Sequence, residues 1–315
     1  MNNNIMRIRL GYVSITNALN VTSSSTYTYS EYLKNKDMDK LDSVIVSNLE
    51  ALLEILRYNV RNNIHFYRMT SKLIPLATKE DVCFDYLDKY QIYYDKLNKL
   101  INENYLRVDF HPDEYCVLNS TSSDIVNSSI ETIKYHYNIL NKLGIKDKTI
   151  ILHVGSSVLG KDNSLRRFRN NFNKLDDSIK RSIVIENDDK VYNVCDILNL
   201  CKNLNIRMVL DYHHHLCNCC GNIEEYLEEI LNTWEYTPKM HYSSPKSKIK
   251  KEFRSHHDYI NPYEFIEFIN ILKKYDRDID IMLEAKMKDD ALFRLIRELK
   301  YLTDYKFIDE TTFIV

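Results

Sequence analysis

Glycine and proline are scarce in this chain, which contains five of each among 315 residues. No stretch carries the closely spaced glycines of a dinucleotide-binding fingerprint, so we predict no nucleotide cofactor. No apolar run reaches the roughly 18 residues that a membrane-spanning helix needs. The opening MNNNIMRIRL also lacks the apolar core and the small-residue cleavage site of a signal peptide. These absences predict a cytoplasmic protein that does not act at a membrane.

An excess of charge of one sign is missing as well, because 43 basic and 45 acidic residues leave a formal net charge of −2. The chain therefore has no general attraction to nucleic acid, and a polyanionic partner must be held by local basic patches. Seven cysteines, an odd number scattered along the chain, favour free thiols over a disulfide framework. With 44% hydrophobic residues, the chain can bury a sizeable core.

One segment resembles a phosphate-binding loop. Residues 155–162, GSSVLGKD, follow an apolar strand and match the glycine and lysine positions of that motif. Asp162 stands where the motif needs a hydroxyl group for magnesium, and its carboxylate would repel phosphate. An ordinary loop is the favoured interpretation, with a nucleotide-binding loop as the alternative.

Short apolar strands alternate with helix-like patterns along the whole chain. The predicted strands are RIRLGYV, IHFYRM, LRVDF, TIILHV, SIVIEN, RMVLDY, PKMHY and IDIMLEA. The predicted helices lie near 43–63, 80–103, 123–143, 163–179, 192–204, 222–233, 262–275 and 287–302. Residues 17–42, rich in Ser, Thr and Asn, are predicted to form a long loop with one helical turn.

Strands that are apolar on both faces and alternate with helices predict a parallel sheet covered by helices. Eight such units favour a single (β/α)8 TIM barrel over residues 1–315, with the active site at the C-terminal ends of the strands. An open doubly wound sheet uses the same alternation and remains the alternative fold.

A residue able to bind a metal or a substrate ends nearly every predicted strand. In chain order these residues are Tyr12, Arg68, His111, His153, Glu186, Asp211, His241 and Glu284. A barrel gathers its strand ends in one mouth, and carboxylates crowded there need cations to neutralise them. Imidazoles beside carboxylates suit Zn²⁺ or Mn²⁺, which would lower the pKa of a water molecule and stabilise charge on a substrate oxygen. Phosphodiester hydrolysis uses both effects.

The stretch RMVLDYHHHLCNCCG, residues 207–221, has the residue types of a structural zinc site. Its cysteines lack a second ligand pair at a usable spacing, so a zinc site in this loop is only the alternative. We favour Asp211 as the end of the sixth strand, with His214 directed back towards the mouth.

Two basic runs follow strands four and seven, where they would flank the mouth. They are Arg166, Arg167 and Arg169, and then Lys246, Lys248, Lys250, Lys251 and Arg254. Charge runs usually form solvated surface, but at a barrel mouth they could also follow a nucleic-acid backbone.

Seven motifs in this order resemble the UV damage endonuclease family, a group of barrel DNA-repair enzymes related to endonuclease IV and to xylose isomerase-like barrels. The motifs are HPDEY, HVG, IENDD, LDYHH, PKMHYSSPK, RSHHDY and MLEAK, within about residues 7–295. The resemblance implies a monomeric hydrolase that nicks damaged double-stranded DNA immediately 5′ to UV photoproducts and some other lesions. It also implies 3′-hydroxyl and 5′-phosphate products without use of ATP.

The resemblance further implies two or three divalent metal ions, with manganese favoured and zinc or magnesium as alternatives. The first ion would be held by His111, His153 and Glu186, the second by Glu186, Asp211, His241 and Glu284, and the third by His214 and His256. His256 is preferred to His257 because of the family motif S-H-x-D-Y. Lys239 corresponds to a lysine that can be carboxylated in this family, and it joins Glu186 and Glu284 as an expected catalytic residue.

By the same resemblance, Glu114 and Tyr115 form the wedge that fills the gap left by an extruded lesion, and Tyr12 contacts the DNA. Two positions depart from the family pattern. Glu114 replaces an amide with an acid that cannot donate hydrogen bonds when ionised, and Lys79 stands where relatives often have a histidine near the metals.

Two further function classes stay open at this point. A metal-dependent sugar isomerase or epimerase uses the same barrel and the same ligand types, although a small neutral substrate leaves the basic runs unexplained. A non-catalytic protein that binds metal or nucleic acid needs no carboxylate shared between two cations.

Overall fold

The computed structural model describes residues 5–82 and 84–315 of the chain. Eight parallel strands pair in sequence order, and β1 pairs with both β2 and β8, so the sheet closes into a (β/α)8 TIM barrel. The strands are β1 Arg7–Val13, β2 Phe66–Met69, β3 Arg107–Phe110, β4 Ile150–Leu152, β5 Ile183–Glu186, β6 Arg207–Asp211, β7 Lys239–Tyr242 and β8 Ile279–Leu283. The predicted TIM barrel is confirmed.

Helices surround the barrel. They are α1 Tyr29–Asn35, α2 Met38–Arg61, α3 Gln91–Glu103, α4 Ser123–Lys142, α5 Lys161–Phe172, α6 Asp177–Lys180, α7 Val194–Leu204, α8 Tyr212–Cys217, α9 Leu227–Asn232, α10 Pro262–Leu272 and α11 Lys288–Leu302. Short 3-10 helices occupy Ile223–Glu225 and Lys273–Tyr275. Within the described residues, none of the helices combines the length and the apolar character required to cross a bilayer.

Helix α2 shows how the sequence pattern produces this layer. Its apolar side chains recur at helical spacing, and Ile45, Leu49 and Leu52 are fully buried in the main core. Asp37 caps its first turn, because the carboxylate accepts a hydrogen bond of 2.9 Å from the backbone N–H of Lys40.

The secondary structure differs from the prediction in several places, among them the unpredicted helix α8 and the division of the helix expected over 163–179 into α5 and α6. Residues 17–42 contain α1, which begins with a capping box between Thr28 and Glu31, and the start of α2. The helix expected over 80–103 begins only at Gln91. Two short antiparallel strands, β9 Lys306–Phe307 and β10 Thr312–Ile314, extend the sheet beside β1 and were not predicted.

Side chains along each strand alternate between the barrel interior and the helix layer. Arg9 of β1 faces the interior, where its guanidinium donates to both carboxylate oxygens of Asp280 at 2.6 and 2.7 Å, and Arg107 donates to one of them, Oδ2, at 2.6 Å. Ile8, Leu10 and Tyr12 face the other way and join the main core below the helices. The interior therefore has a charged layer near the N-terminal ends of the strands, separate from the mouth.

Candidate metal centre

The carboxylate of Glu186, the last residue of β5, lies at the middle of a cluster built from several strand ends. His111 Nε2 lies 2.9 Å from its Oε2 atom, and His241 Nδ1 lies 2.8 Å from its Oε1 atom. His153 Nε2 and His214 Nδ1 each lie 3.6 Å from one of the same two oxygens. Because parallel strands end on the same side of a barrel, residues from distant parts of the chain meet at one carboxylate.

Two groups of side chains bring candidate ligand atoms within 4.8 Å of one another. The first consists of His111, His153 and Glu186, and the second of Glu186, Asp211, His241 and Glu284. Glu186 belongs to both groups. The resemblance implied the same two groups as ligands of the first two cations, and their binding of cations stays a prediction.

The two histidines expected around a third cation lie at the edge of this cluster. Their ring centroids are 6.2 Å apart, and His256 Nδ1 lies 3.9 Å from Glu284 Oε2. His214 Nδ1 lies 3.0 Å from the carbonyl oxygen of Asn187, which fixes the ring. The neighbouring His257 is exposed and accepts a hydrogen bond from the backbone N–H of Tyr259, so His256 is the histidine that approaches the cluster.

Asp211 links the cluster to the fold. It is the last residue of β6 and the N-cap of α8, and its Oδ1 atom accepts a hydrogen bond of 2.7 Å from the backbone N–H of His214. Its Oδ2 atom is buried and has no hydrogen-bond partner among the described residues. The prediction placed His214 in a loop, but it lies in the first turn of this short helix.

The charges of the cluster fit a cation. Burial raises the pKa of Asp211 to about 6, and the negative charges of Glu186 and Glu284 act in the same direction. Burial alone would lower the pKa of His214, but the carboxylates of Asp211 and Glu186 raise it to about 9. An acidic, oxygen- and nitrogen-rich cluster with an unused buried carboxylate oxygen suits a divalent metal such as Mn²⁺ or Zn²⁺.

Arg68, near the end of β2, lies next to the cluster and contacts two of its side chains. Its guanidinium donates to Glu284 Oε1 at 2.6 Å, and a second nitrogen lies 2.6 Å from His241 Nε2. The sequence marked Arg68 only as a polar strand end. The structure shows that it orients two of the candidate ligands.

Lys239 lies two residues before His241 on β7 and faces the same interior. Its side chain is fully buried, and its Nζ donates to Asp109 Oδ2 at 2.6 Å. Burial lowers the pKa of Lys239 to about 7, although Asp109 opposes this shift. Sequence reasoning missed Asp109, but its position two residues before His111 places both side chains on one strand face.

Tyr12 does not reach the mouth. The side chain is fully buried, its hydroxyl donates to Asn59 Oδ1 at 2.8 Å, and its ring packs on Tyr67 with centroids 5.2 Å apart. The predicted contact between Tyr12 and DNA is therefore wrong for this structure, because strand alternation turns the ring towards the helix layer.

Glu114 and Tyr115 lie in the loop between β3 and α4, and both are exposed, Tyr115 to 77%. Lys79 is exposed in the loop after β2. Its Nζ lies 5.1 Å from the ring centroid of Tyr29, which is a cation–π distance. The loop residues thus present their side chains outside the cluster.

The two basic runs are only partly available to a ligand. Arg167 donates to the carbonyl oxygens of Asn119 and Val158 at 2.7 and 2.6 Å, so its charge is used inside the protein. Lys246 pairs with Glu252 at 3.0 Å. The free cations at the mouth therefore include fewer residues than the sequence suggested, with Arg166, Lys250 and Lys251 exposed.

The zinc alternative for the loop after β6 is not supported. Within the described residues, groups of three close metal-ligating atoms involve only the strand-end cluster and include no cysteine. Cys195 and Cys220 lie beside each other as free thiols, and Cys219 is exposed.

Comparison with known proteins agrees with the motifs. The family model described as UV-endonuclease UvdE matches residues 8–312. A UV DNA damage endonuclease of Bacillus mycoides (strain KBAB4) is 42% identical over 317 residues, covering 98% of this chain and 99% of the relative. The crystal structure of SacUVDE superposes with a TM-score of 0.85 at 35% identity, covering 94% of this chain and 99% of that one. Endonuclease IV from Thermus thermophilus, at 10% identity and a TM-score of 0.58 over 94% of this chain and 100% of that one, shares the fold.

Proposed function

The chain belongs to the UV-endonuclease UvdE family, and we propose that, as a repair endonuclease for UV damage, it nicks damaged double-stranded DNA immediately 5′ to the lesion. We propose 3′-hydroxyl and 5′-phosphate products, lesions that include photoproducts and abasic sites, and action as a monomer. The observation that carries the chemistry is the position of Glu186, whose two oxygens face both groups of candidate ligands. The alternatives of a sugar isomerase and a non-catalytic binding protein are not retained, since the full-length relatives are endonucleases.

The cluster supports a site for two or three divalent cations, with manganese preferred. One would be held by His111, His153 and Glu186, a second by Glu186, Asp211, His241 and Glu284, and a third by His214 and His256. Such cations would lower the pKa of a bound water molecule and would stabilise negative charge on phosphate oxygens.

Hydrogen bonds within the chain hold the candidate ligand side chains in position before substrate binds. His111 Nδ1 lies 2.9 Å from the carbonyl oxygen of Pro112, which fixes the ring with Nε2 towards Glu186. Arg68 fixes the carboxylate of Glu284, one of the proposed catalytic residues. Rigid positioning of this kind reduces the reorganisation that cleavage would otherwise require.

Nicking of UV-irradiated plasmid in the presence of Mn²⁺ tests the proposed function. We expect conversion of supercoiled plasmid to the open circle, and loss of this activity when a chelator removes the metal. Unirradiated plasmid is the control for damage dependence. End-labelled duplexes with one lesion show the cleavage position. Nicking that persists at full rate after complete metal removal would contradict the metal site.

We also propose that Lys239 is carboxylated in the metal-loaded enzyme and acts there as an anionic group. The support is its position on β7, fully buried and two residues from His241, with Arg68 close by as a counter-cation. In the form described by the structure, the unmodified amine binds Asp109 instead.

For DNA recognition we propose that Glu114 and Tyr115 fill the gap left by an extruded lesion. Tyr115 is the large exposed aromatic side chain of the loop that follows His111, and aromatic rings stack on bases of any sequence. Glu114 lies beside it with a carboxylate that DNA phosphates repel.

The variant Glu114→Gln should bind a lesion-containing duplex about threefold more tightly at low salt, because it removes this repulsion and restores a hydrogen-bond donor. Fluorescence anisotropy at about 50 mM and 200 mM salt measures the effect, which should shrink as salt rises. Glu235→Gln, an exposed change at the opposite end of the barrel, is the matched control. Weaker binding by Glu114→Gln would show that the acid has become a favourable contact.

A further inference from the structure

The loop between β4 and α5 presents two apolar side chains to solvent. Val158 is 50% exposed and Leu159 is 71% exposed, and we name these two residues the apolar tip. The loop leaves β4 directly after His153, so it belongs to the same end of the barrel as the candidate metal centre. Neither the family motifs nor the proposed function gives these side chains a role.

The backbone of the apolar tip is held in a conformation that leucine disfavours. Leu159 has a φ angle of 64°, in the left-handed region where a β-carbon is strained. The carbonyl oxygen of Val158 accepts hydrogen bonds from Arg167 at 2.6 Å and from the Ser164 hydroxyl at 3.0 Å. A strained residue that points outward gains nothing from burial in the free protein, and such positions are common at binding sites.

This loop is fixed to the loop that carries Tyr115. Asn119 donates from Nδ2 to the carbonyl oxygen of Ser156 at 2.5 Å, and Arg167 donates to the carbonyl oxygen of Asn119 at 2.7 Å. A β-carbon at Gly155 would lie 2.7 Å from Asn119 Oδ1, so only glycine allows the two loops to approach this closely. Tyr115 and the apolar tip therefore lie on two loops that are hydrogen-bonded to each other.

We propose that the apolar tip is a second wedge, which inserts into the DNA duplex beside the lesion while Tyr115 fills the gap. The proposal rests on the proposed function. Apolar side chains that enter a base step unstack it and bend the duplex, and the contact buries them against base faces. Duplex DNA is the partner that fits, because the apolar tip follows His153 at the same end of the barrel as the candidate metal centre, and the exposed cation Arg166 comes next on α5.

The test uses the full-length protein and a lesion duplex with 2-aminopurine next to the lesion, whose fluorescence rises when the base unstacks. Leu159→Asn removes the apolar group while keeping a residue that tolerates the left-handed backbone. We expect it to lose most of the fluorescence gain and to raise KM about tenfold with kcat unchanged, while the thermal midpoint stays the same or rises because asparagine relieves the left-handed strain. Leu159→Met should retain wild-type behaviour. The matched control is Ile308→Asn, an exposed apolar residue at the opposite end of the barrel.

A second substrate separates a wedge from a simple contact. On a duplex whose lesion lies in an unpaired bubble, the bases are already unstacked, and Leu159→Asn should cleave it nearly as well as the wild-type protein. An equal loss on paired and bubble duplexes, or a KM within about twofold of wild type on the paired duplex, overturns the wedge. Fluorescence is read in the Glu186→Gln background, which does not cleave, so the result does not depend on nicking. Failure of the wild-type protein to nick either duplex would reject the proposed function instead.

Discussion

Replacing Glu186 with glutamine is expected to abolish nicking of damaged DNA and to leave most of the binding affinity. Glutamine keeps the shape of the side chain but removes the negative charge that His111 and His241 approach within 2.9 Å. One of its two oxygens also becomes an amide nitrogen, which cannot bind a cation. The residue shared by both ligand groups is lost in this way, so we expect the rate to fall about 1000-fold or more.

Single-turnover nicking of a lesion duplex measures the rate, and anisotropy measures the affinity. Binding draws on phosphate contacts and base stacking more than on the cluster, so the dissociation constant should change little. Glu229→Gln is the control, since that glutamate pairs with Lys202 on the surface far from the mouth. Retention of more than about a tenth of the wild-type rate would refute the central role of Glu186.

Replacing Lys239 with methionine is expected to lower the free energy of unfolding by about 3 kcal/mol, because it leaves Asp109 buried without its partner. The remaining cation, Arg68, has its Nε atom 3.9 Å from Asp109, too far for a hydrogen bond. Urea unfolding of the metal-free protein measures the loss. The double variant Asp109→Asn with Lys239→Met should recover part of it, since no buried charge is then unpaired. An unchanged stability in Lys239→Met would show that the pair contributes nothing.

The same variant tests the carboxylation of Lys239. Wild-type protein loaded with Mn²⁺ or with diamagnetic Zn²⁺ in ¹³C-bicarbonate should incorporate the ¹³C label. NMR of the zinc form detects the labelled carbamate. The variant Lys239→Met should not incorporate the label. An unmodified amine beside fully loaded metal sites would reject the modification. The stability result on the metal-free protein is independent of that outcome.

The barrel and the cluster could be predicted from the sequence because one physical rule governs both. A strand covered by helices on one side and packed in a barrel on the other is apolar on both faces, so each strand was visible as a short apolar run. The polar residue that interrupts each run marks the strand end. Glu186, Asp211 and Glu284 were predicted as a group for this reason, although more than 90 residues separate the first and the last.

The errors have a different origin, since they concern the direction of a side chain. Tyr12 ends an apolar run as the ligands do. However, an even number of positions separates it from Ile8 and Leu10, and this spacing places its side chain on the helix side of β1. The same even spacing could have identified Asp109, which lies two residues before His111 and shares a strand face with it. Arg167 stayed a candidate for contact with DNA because nothing in the sequence shows that backbone carbonyl oxygens take up its guanidinium.

The carboxylate of Asp211 divides its two oxygens between different tasks, and this restricts which amino acid can occupy the position. Asparagine could still hold the start of α8 through one oxygen but would give up the charge offered to the cluster. Glutamate would keep the charge, but its extra methylene would misplace the oxygen that receives the His214 amide. Architecture and chemistry therefore select the same residue independently, and a single substitution at position 211 cannot satisfy one demand without failing the other.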